Sequence, residues 1–190
     1  QALASRISAA QGSVFFDEPR LAADALASAA DRRPLRVGVP WLFSMHTVLT
    51  DYWLGRCGFD LDREIALNVV PPPFMSGALA AGGIDLFCVG GPWGSAAVES
   101  GAGALVLSAA SIWSFAPEKV LGVGEPLLRD RPETLAALLR ALYRAAEWAS
   151  RPMHRGAIAE VLSRPEYVDA PAELIERALS GSLIVSGAGE

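Results

Sequence analysis

The stretch LRVGVPWLFSMHTVLTDYWLGRCG (residues 35–58) decides the fold class of this chain. Its first five residues are mostly branched and apolar, which predicts a buried β-strand over 35–39. Ser44 then opens a run that we expect to be helical as far as Gly58, because serine is a favoured N-cap and glycine a favoured terminator. A strand followed closely by a helix is the repeating unit of a parallel α/β sheet.

The same alternation continues along the chain. EIALNVV (64–70), DLFCVG (85–90) and ALVLSAA (104–110) are predicted strands, and KVLGV (119–123) is predicted as a fifth. Short helical segments follow the second and third strands, beginning at the prolines of PPPFM and GPWG. Strands that alternate with helices predict an α/β fold with a mainly parallel sheet, covered by helices on both faces.

The flanks of this region are helical in pattern. Asp17 is expected to cap a helix within residues 17–33, and further helices are predicted over 133–149, 156–164 and 171–181. We therefore predict that residues 1–34 form a helical part of a first lobe and that 35–118 form the α/β ligand-binding lobe. Residues 119–190 would supply a return strand and C-terminal helices that pack on the first lobe, which this chain contains only in part.

Composition excludes several classes of protein. The 190 residues are 52% hydrophobic with a formal charge of −5, too apolar for a disordered chain and without the basic runs that bind nucleic acid. We find no apolar run long enough to span a membrane and no signal peptide in QALASRISAAQG. Cys57 and Cys88 lack disulfide or metal spacing, and we expect both to be small buried residues.

Candidate binding residues follow the predicted strands. In open α/β sheets, ligands bind beyond the carboxyl ends of the strands. There the chain places His46 in the first turn of a helix, Pro72 in a triple proline, and Gly90 beside Gly91; Lys119, the single lysine, follows the fourth strand. Helix N-termini, glycine backbone and a compact cation suit a small anion.

Each of these residues also has an ordinary structural explanation. A lone histidine near a helix start is usually a cap or a surface group, and Lys119 fits a surface position in an arginine-rich chain. The tryptophans and phenylalanines nearby would exclude water from a site, but such residues are more often core. We find no nucleophile elbow, no P-loop and no metal-ligand spacing, so no catalytic or metal-binding residue is predicted.

Four segments in order resemble a known family: FSMHTVLTDYWL, NVVPPPFM, GGIDLFCVGGPWGSAAVESGAG and SIWSFAPEKVLG. They are similar to the nitrate- and bicarbonate-binding solute-binding proteins of bacterial ABC transporters, a family with the type II periplasmic-binding-protein fold that includes cytosolic nitrate/nitrite sensors. The resemblance implies ligand contacts at His46, Pro72, Gly90 and Lys119. It also implies that this chain is a central fragment of a longer protein.

Two departures from the family pattern bear on the ligand. Phe74 follows the triple proline where a polar residue is usual, and Gly91 stands where the family usually has glutamate. Nitrate offers only hydrogen-bond acceptors, whereas the hydroxyl of bicarbonate needs an acceptor such as a carboxylate. The lysine and the missing glutamate therefore favour nitrate or nitrite over bicarbonate.

The resemblance predicts a non-enzymatic oxyanion-binding protein without a cofactor, located in the periplasm and working with an ABC permease. One alternative is a cytoplasmic nitrate/nitrite sensor that controls an RNA-binding antitermination regulator. A second is an enzyme of the thiamine-precursor-synthase type on the same fold. A third is an α/β domain with a purely structural role.

Overall fold

The computed structural model describes residues 2–5, for which only the backbone is considered, together with 16–30 and 33–187. The chain divides into two compact units. Unit 1 comprises Gln1–Pro117 and Ser182–Glu190, and unit 2 comprises Glu118–Gly181.

Unit 1 is built on a five-stranded sheet with the order β3-β2-β4-β1-β5. Strand β2 pairs in parallel with β3 and β4, and β1 is antiparallel to both β4 and β5. Four strands therefore run in one direction, and a single antiparallel strand is inserted between two of them. The strands are β1 (Ala2–Ser5), β2 (Leu35–Val39), β3 (Ile65–Val69), β4 (Leu86–Val89) and β5 (Ala104–Ser108).

Helices cover both faces of this sheet, as the alternation of elements predicts. They are α1 (Pro19–Ala29), α2 (Met45–Arg56), α3 (Leu61–Glu64), α4 (Met75–Ala80), α5 (Trp93–Glu99) and α6 (Ala109–Ile112). Residues of α1, α2 and α6 pack in one core cluster, while α4 and α5 contribute to a second. Strand β4 is buried on both sides: Leu86 and Cys88 belong to the first cluster, and Phe87 and Val89 to the second.

The predicted strand over residues 119–123 is wrong. This segment has no regular secondary structure, and Val120 is almost fully exposed. No residue of this segment belongs to the sheet, in which β1 lies between β4 and β5. The backbone N–H of Leu105 in β5 instead donates to the carbonyl of Val185, 2.8 Å away. The segment around Val185, which belongs to unit 1, therefore lies beside β5. Residues 119–190 are thus divided between the two units.

The N-terminal residues also differ from the prediction. Residues 1–34 fall in the same unit as the sheet, because Ala22, Ala23 and Leu26 of α1 are buried in its core. Asp17 is not the N-cap of α1, since Glu18 occupies that position. The Asp17 carboxylate accepts from the backbone N–H of Ser108 at 2.6 Å instead, at the end of β5.

Unit 2 is helical in its described residues. Its helices are α7 (Glu125–Asp130), α8 (Pro132–Ala149), α9 (Arg155–Leu162) and α10 (Ala172–Ser180), with a 3-10 turn over Pro152–His154. The three longest agree with the helices predicted from the sequence to within about two residues. None of the helices in the described part of the chain is both long and apolar enough to cross a bilayer.

A buried ion pair joins the start of β4 to the start of β2. Asp85 is 2% exposed, and its carboxylate accepts hydrogen bonds from the guanidinium groups of Arg33 and Arg36 at 2.6–3.2 Å and from the Arg36 backbone N–H at 2.9 Å. The Asp85 backbone N–H donates in return to the Arg36 carbonyl. Burial alone would raise the pKa of Asp85, but these hydrogen bonds and the charge of Arg33 outweigh it and hold the pKa well below its usual range.

We predict that Asp85→Asn lowers the free energy of unfolding by about 3 kcal/mol at neutral pH, because it removes the charge that two arginines share at a buried position. The folded-state pKa of Asp85 is depressed, so its contribution is complete above the unfolded value of about 4 and is lost as the pH falls through the folded value. Urea unfolding of both proteins between pH 2 and 8 checks this.

Asp60→Asn is the matched control, because Asp60 pairs with Arg63 at an exposed site and asparagine keeps the capping oxygen. We expect it to change the free energy of unfolding by less than about 0.5 kcal/mol. A difference between wild type and Asp85→Asn that stays constant below pH 4 would contradict the role of Asp85.

Gly38 lies where helix α4 packs closely on strand β2. A Cβ added there would meet Ile84 Cδ1 at 2.8 Å and Met75 Sδ at 3.1 Å. We predict that Gly38→Ala costs about 1–3 kcal/mol of unfolding free energy through overpacking. Gly77→Ala, in α4 with open space around it, should raise stability by up to about 1 kcal/mol. Equal effects of the two substitutions in urea unfolding would contradict this packing argument.

Candidate functional site

Strands β3, β2 and β4 are adjacent and parallel, so their carboxyl ends lie side by side at one edge of the sheet. The backbone N–H of Val70 donates to the Val39 carbonyl at 3.0 Å, which continues the pairing to the strand ends. The loops that leave β2, β3 and β4 therefore begin at the same level. We call this part of unit 1 the carboxyl edge.

His46 stands at the carboxyl edge in the first turn of α2. Ser44 caps this helix by accepting from the Thr47 N–H, and the Thr47 hydroxyl donates to the Trp41 carbonyl at 2.9 Å. These bonds fix the path of the chain from β2 into the helix. Both ring nitrogens of His46 are shielded from solvent, so the imidazole is held inside the edge rather than displayed on the surface.

Gly90 follows the last residue of β4 and faces the histidine. A Cβ added to Gly90 would lie 4.0 Å from His46 Nε2. Two of the four predicted site residues are therefore brought together by the pairing of β2 with β4. The lack of a side chain at Gly90 leaves the backbone there open to close approach.

Pro72 begins the 3-10 turn that leads from β3 into α4. It has no N–H, and its carbonyl accepts from the Met75 N–H. Pro72 therefore lies on a loop of the carboxyl edge but has no hydrogen-bond donor for an anion. Its contribution to a site is limited to shape and apolar contact.

Lys119 lies in unit 2, whereas His46, Pro72 and Gly90 belong to unit 1. Its side chain is 83% exposed, and Nζ lies 2.8 Å from Glu118 Oε1. Exposed pairs of this kind contribute little to stability. The Lys119 ammonium group is thus accessible to solvent, and it forms an ion pair with the Glu118 carboxylate.

Apolar side chains surround the loops of unit 1 but are largely exposed. Phe74, Trp113 and Phe115, which were expected to exclude water, all present much of their surface to solvent. The sequence analysis did not identify Trp41 and Phe43 as a pair of neighbouring rings. Their centroids lie 6.4 Å apart, edge to face, in the loop before α2. Their signal was present in PWLFS, a loop unusually rich in large apolar residues.

The groups at this edge are suited to binding a ligand. Among the described residues, no group of three or more His, Cys, Asp or Glu side chains could hold a metal ion. Cys88 is buried in the core of the sheet rather than at its edge, and Cys57 is half-buried and free. An imidazole beside open glycine backbone at a helix start suits a small anion.

Comparison with known proteins gives a family match over most of the chain. The model of the NMT1-like family matches residues 4–163. A nitrate import ATP-binding protein, NrtC, of Synechocystis is 42% identical over 132 residues, which cover 70% of this chain and 20% of that protein. A bicarbonate transport ATP-binding protein, CmpC, of Synechococcus elongatus is 35% identical over 151 residues, which cover 80% of this chain and 23% of that protein.

A solved structure is similar over most of the chain. The periplasmic nitrate-binding protein NrtA from Synechocystis superposes with a TM-score of 0.82 at 25% identity, covering 93% of this chain and 45% of that protein. This match confirms the predicted fold class, an α/β fold of the type II periplasmic-binding-protein kind. The chain spans about a fifth of the two ATP-binding relatives and less than half of the solved one.

Proposed function

The chain belongs to the NMT1-like family, and on that premise we propose that it binds a small oxyanion, nitrate or nitrite, as part of the solute-binding component of an ABC transporter. The observation that carries this proposal is the meeting of His46 and the open backbone of Gly90 at the carboxyl edge. The similarity to a periplasmic nitrate-binding protein supports the same ligand class.

Each group at the edge has a definite role in this proposal. Nitrate is a flat monoanion with acceptors only, so it requires donors and positive potential. The shielded ring of His46 donates an N–H, and the first turn of α2 adds backbone N–H groups and the positive end of its dipole. Gly90 lets the anion approach the strand end without steric conflict, and Pro72 gives the loop a rigid shape.

Lys119 is assigned by its place after the fourth predicted strand and by the resemblance, not by any contact with unit 1. A compact ammonium suits a small anion better than a planar guanidinium does. We therefore keep Lys119 as a proposed ligand and test it together with the residues of unit 1.

Nitrate or nitrite is favoured over bicarbonate on chemical grounds. Gly91 removes the carboxylate that would accept the hydroxyl proton of bicarbonate. The relatives include both nitrate and bicarbonate transport proteins, so the family match alone does not choose between the two ligands.

The proposal includes a permease partner and a periplasmic location, and it assigns no catalysis. The solved relative is named as a periplasmic binding protein. Binding of the anion would shift the protein toward the state that the permease recognises.

Calorimetric titration of nitrate in chloride-free buffer tests the proposal. We expect saturable binding to the wild-type chain and at least about tenfold weaker binding by Gly90→Ala, because the added methyl group would enter the space beside His46. Its 4.0 Å distance from His46 Nε2 is an ordinary contact, so stability should change little. Lys119→Ala should weaken binding similarly.

Gly77→Ala and Arg129→Ala serve as controls, because Gly77 faces open space and Arg129 forms an exposed ion pair in the same unit as Lys119. Both should bind nitrate as the wild type does. Absence of nitrate binding by the wild-type chain, or equal affinity in Gly90→Ala, would contradict the proposed site. Tighter binding of bicarbonate than of nitrate at the same pH would contradict the ligand assignment.

A further inference from the structure

Unit 1 has a second pocket that the proposed function does not use. Its volume is about 230 Å³, and its walls come from the start of α1, the C-terminal half of α2 and α6. It is separate from the loops that carry Pro72 and Gly90, neither of which lines it. Since typical drug-sized ligands occupy about 300–1,000 Å³, this pocket fits a smaller molecule.

Two arginines line the pocket, Arg20 from α1 and Arg56 from α2. Neither forms an ion pair with a carboxylate of the described residues. Burial raises the pKa of the Cys57 thiol in the same wall, the charges of Arg20 and Arg56 oppose that rise, and Asp24 adds to it. Both arginines are exposed and line the same pocket, in a chain whose formal charge is −5.

Part of the pocket wall is apolar. Trp53 is 2% exposed, and its indole N–H already donates to the Pro19 carbonyl at 2.9 Å. The Cys57 Sγ approaches the same carbonyl at 3.7 Å. Their polar atoms are engaged there. Cys57 and Ile112, which are half-buried, supply the apolar surface that a ligand can reach.

Arg56 lies over the aromatic ring of Tyr52. Its guanidinium carbon lies 5.5 Å from the centre of the Tyr52 ring, and Tyr52 in turn lies 5.5 Å from Trp113. A guanidinium stacked on a ring keeps its N–H groups free in the plane, where they form paired hydrogen bonds with a carboxylate. Less side-chain freedom is then lost when an anion binds.

We propose that this pocket is a second ligand site, which binds a small organic carboxylate with an apolar body. The carboxylate lies between Arg20 and Arg56, and the body packs on Cys57 and Ile112. An aromatic monocarboxylate fits both requirements. An inorganic anion satisfies the charge but leaves the apolar surface uncovered.

Nuclear magnetic resonance of the 190-residue chain with labelled tryptophan tests this site, with benzoate as the probe. We expect the indole N–H signal of Trp53 to shift saturably. Arg20→Gln and Arg56→Gln should each weaken benzoate binding at least about tenfold, because each removes a charged hydrogen-bond donor. Arg63→Gln, at an exposed position outside the pocket, should change it less than about twofold.

Two further ligands and one variant make the outcome decisive. Benzyl alcohol and inorganic phosphate should both bind much more weakly than benzoate, because each lacks one of the two required features. His46→Ala should bind benzoate normally, which separates this site from the carboxyl edge. No shift of the Trp53 signal, equal affinity in Arg20→Gln and Arg56→Gln, phosphate binding as tight as benzoate, or loss of benzoate binding in His46→Ala would overturn the proposal.

Discussion

The buried ion pair of Asp85 with Arg33 and Arg36 is the interaction on which the arrangement of unit 1 depends. It joins the first residues of β2 and β4 through side-chain and backbone hydrogen bonds. With the strand starts held together, Val37 pairs with Leu86 and Gly38 with Phe87. A carboxylate that is 2% exposed is stable as an anion only while these partners are present. The register of the central strands is therefore set by charge as well as by apolar packing.

The register determines what meets at the other end of the sheet. Because β2 and β4 are parallel and aligned at their starts, the residues that follow them emerge side by side. One of these loops leads into α2 and places His46 in its first turn, and the other places Gly90 beside that ring. Gly38 allows α4 to pack against β2 on the face of the sheet opposite to α2. The proposed anion site thus results from strand pairing and close packing, without any strained backbone at His46 or Gly90.

The periodic parts of the chain could be predicted from the sequence. Four strands and the helix at residues 44–58 follow from apolar patterns and caps that act locally, and the family resemblance was confirmed by the match to the NMT1-like model. Strand β1 was missed because ALAS has no β-branched or aromatic residue and pairs only with distant strands. KVLGV has the pattern of a strand but no regular structure, because a local pattern does not by itself supply a pairing partner. The pocket of Arg20 and Arg56 could not be predicted, because it forms where three helices pack, and that packing leaves no local pattern.

The most direct test of the account is a nitrate titration followed by nuclear magnetic resonance on the uniformly ¹⁵N-labelled chain. The account predicts that the His46 ring nitrogens and the Gly90 backbone N–H shift together and saturate with one dissociation constant. Signals from Trp53 in the second pocket should remain in place. Saturable nitrate binding that leaves His46 and Gly90 unchanged would contradict the central claim, because the anion would then bind away from the carboxyl edge.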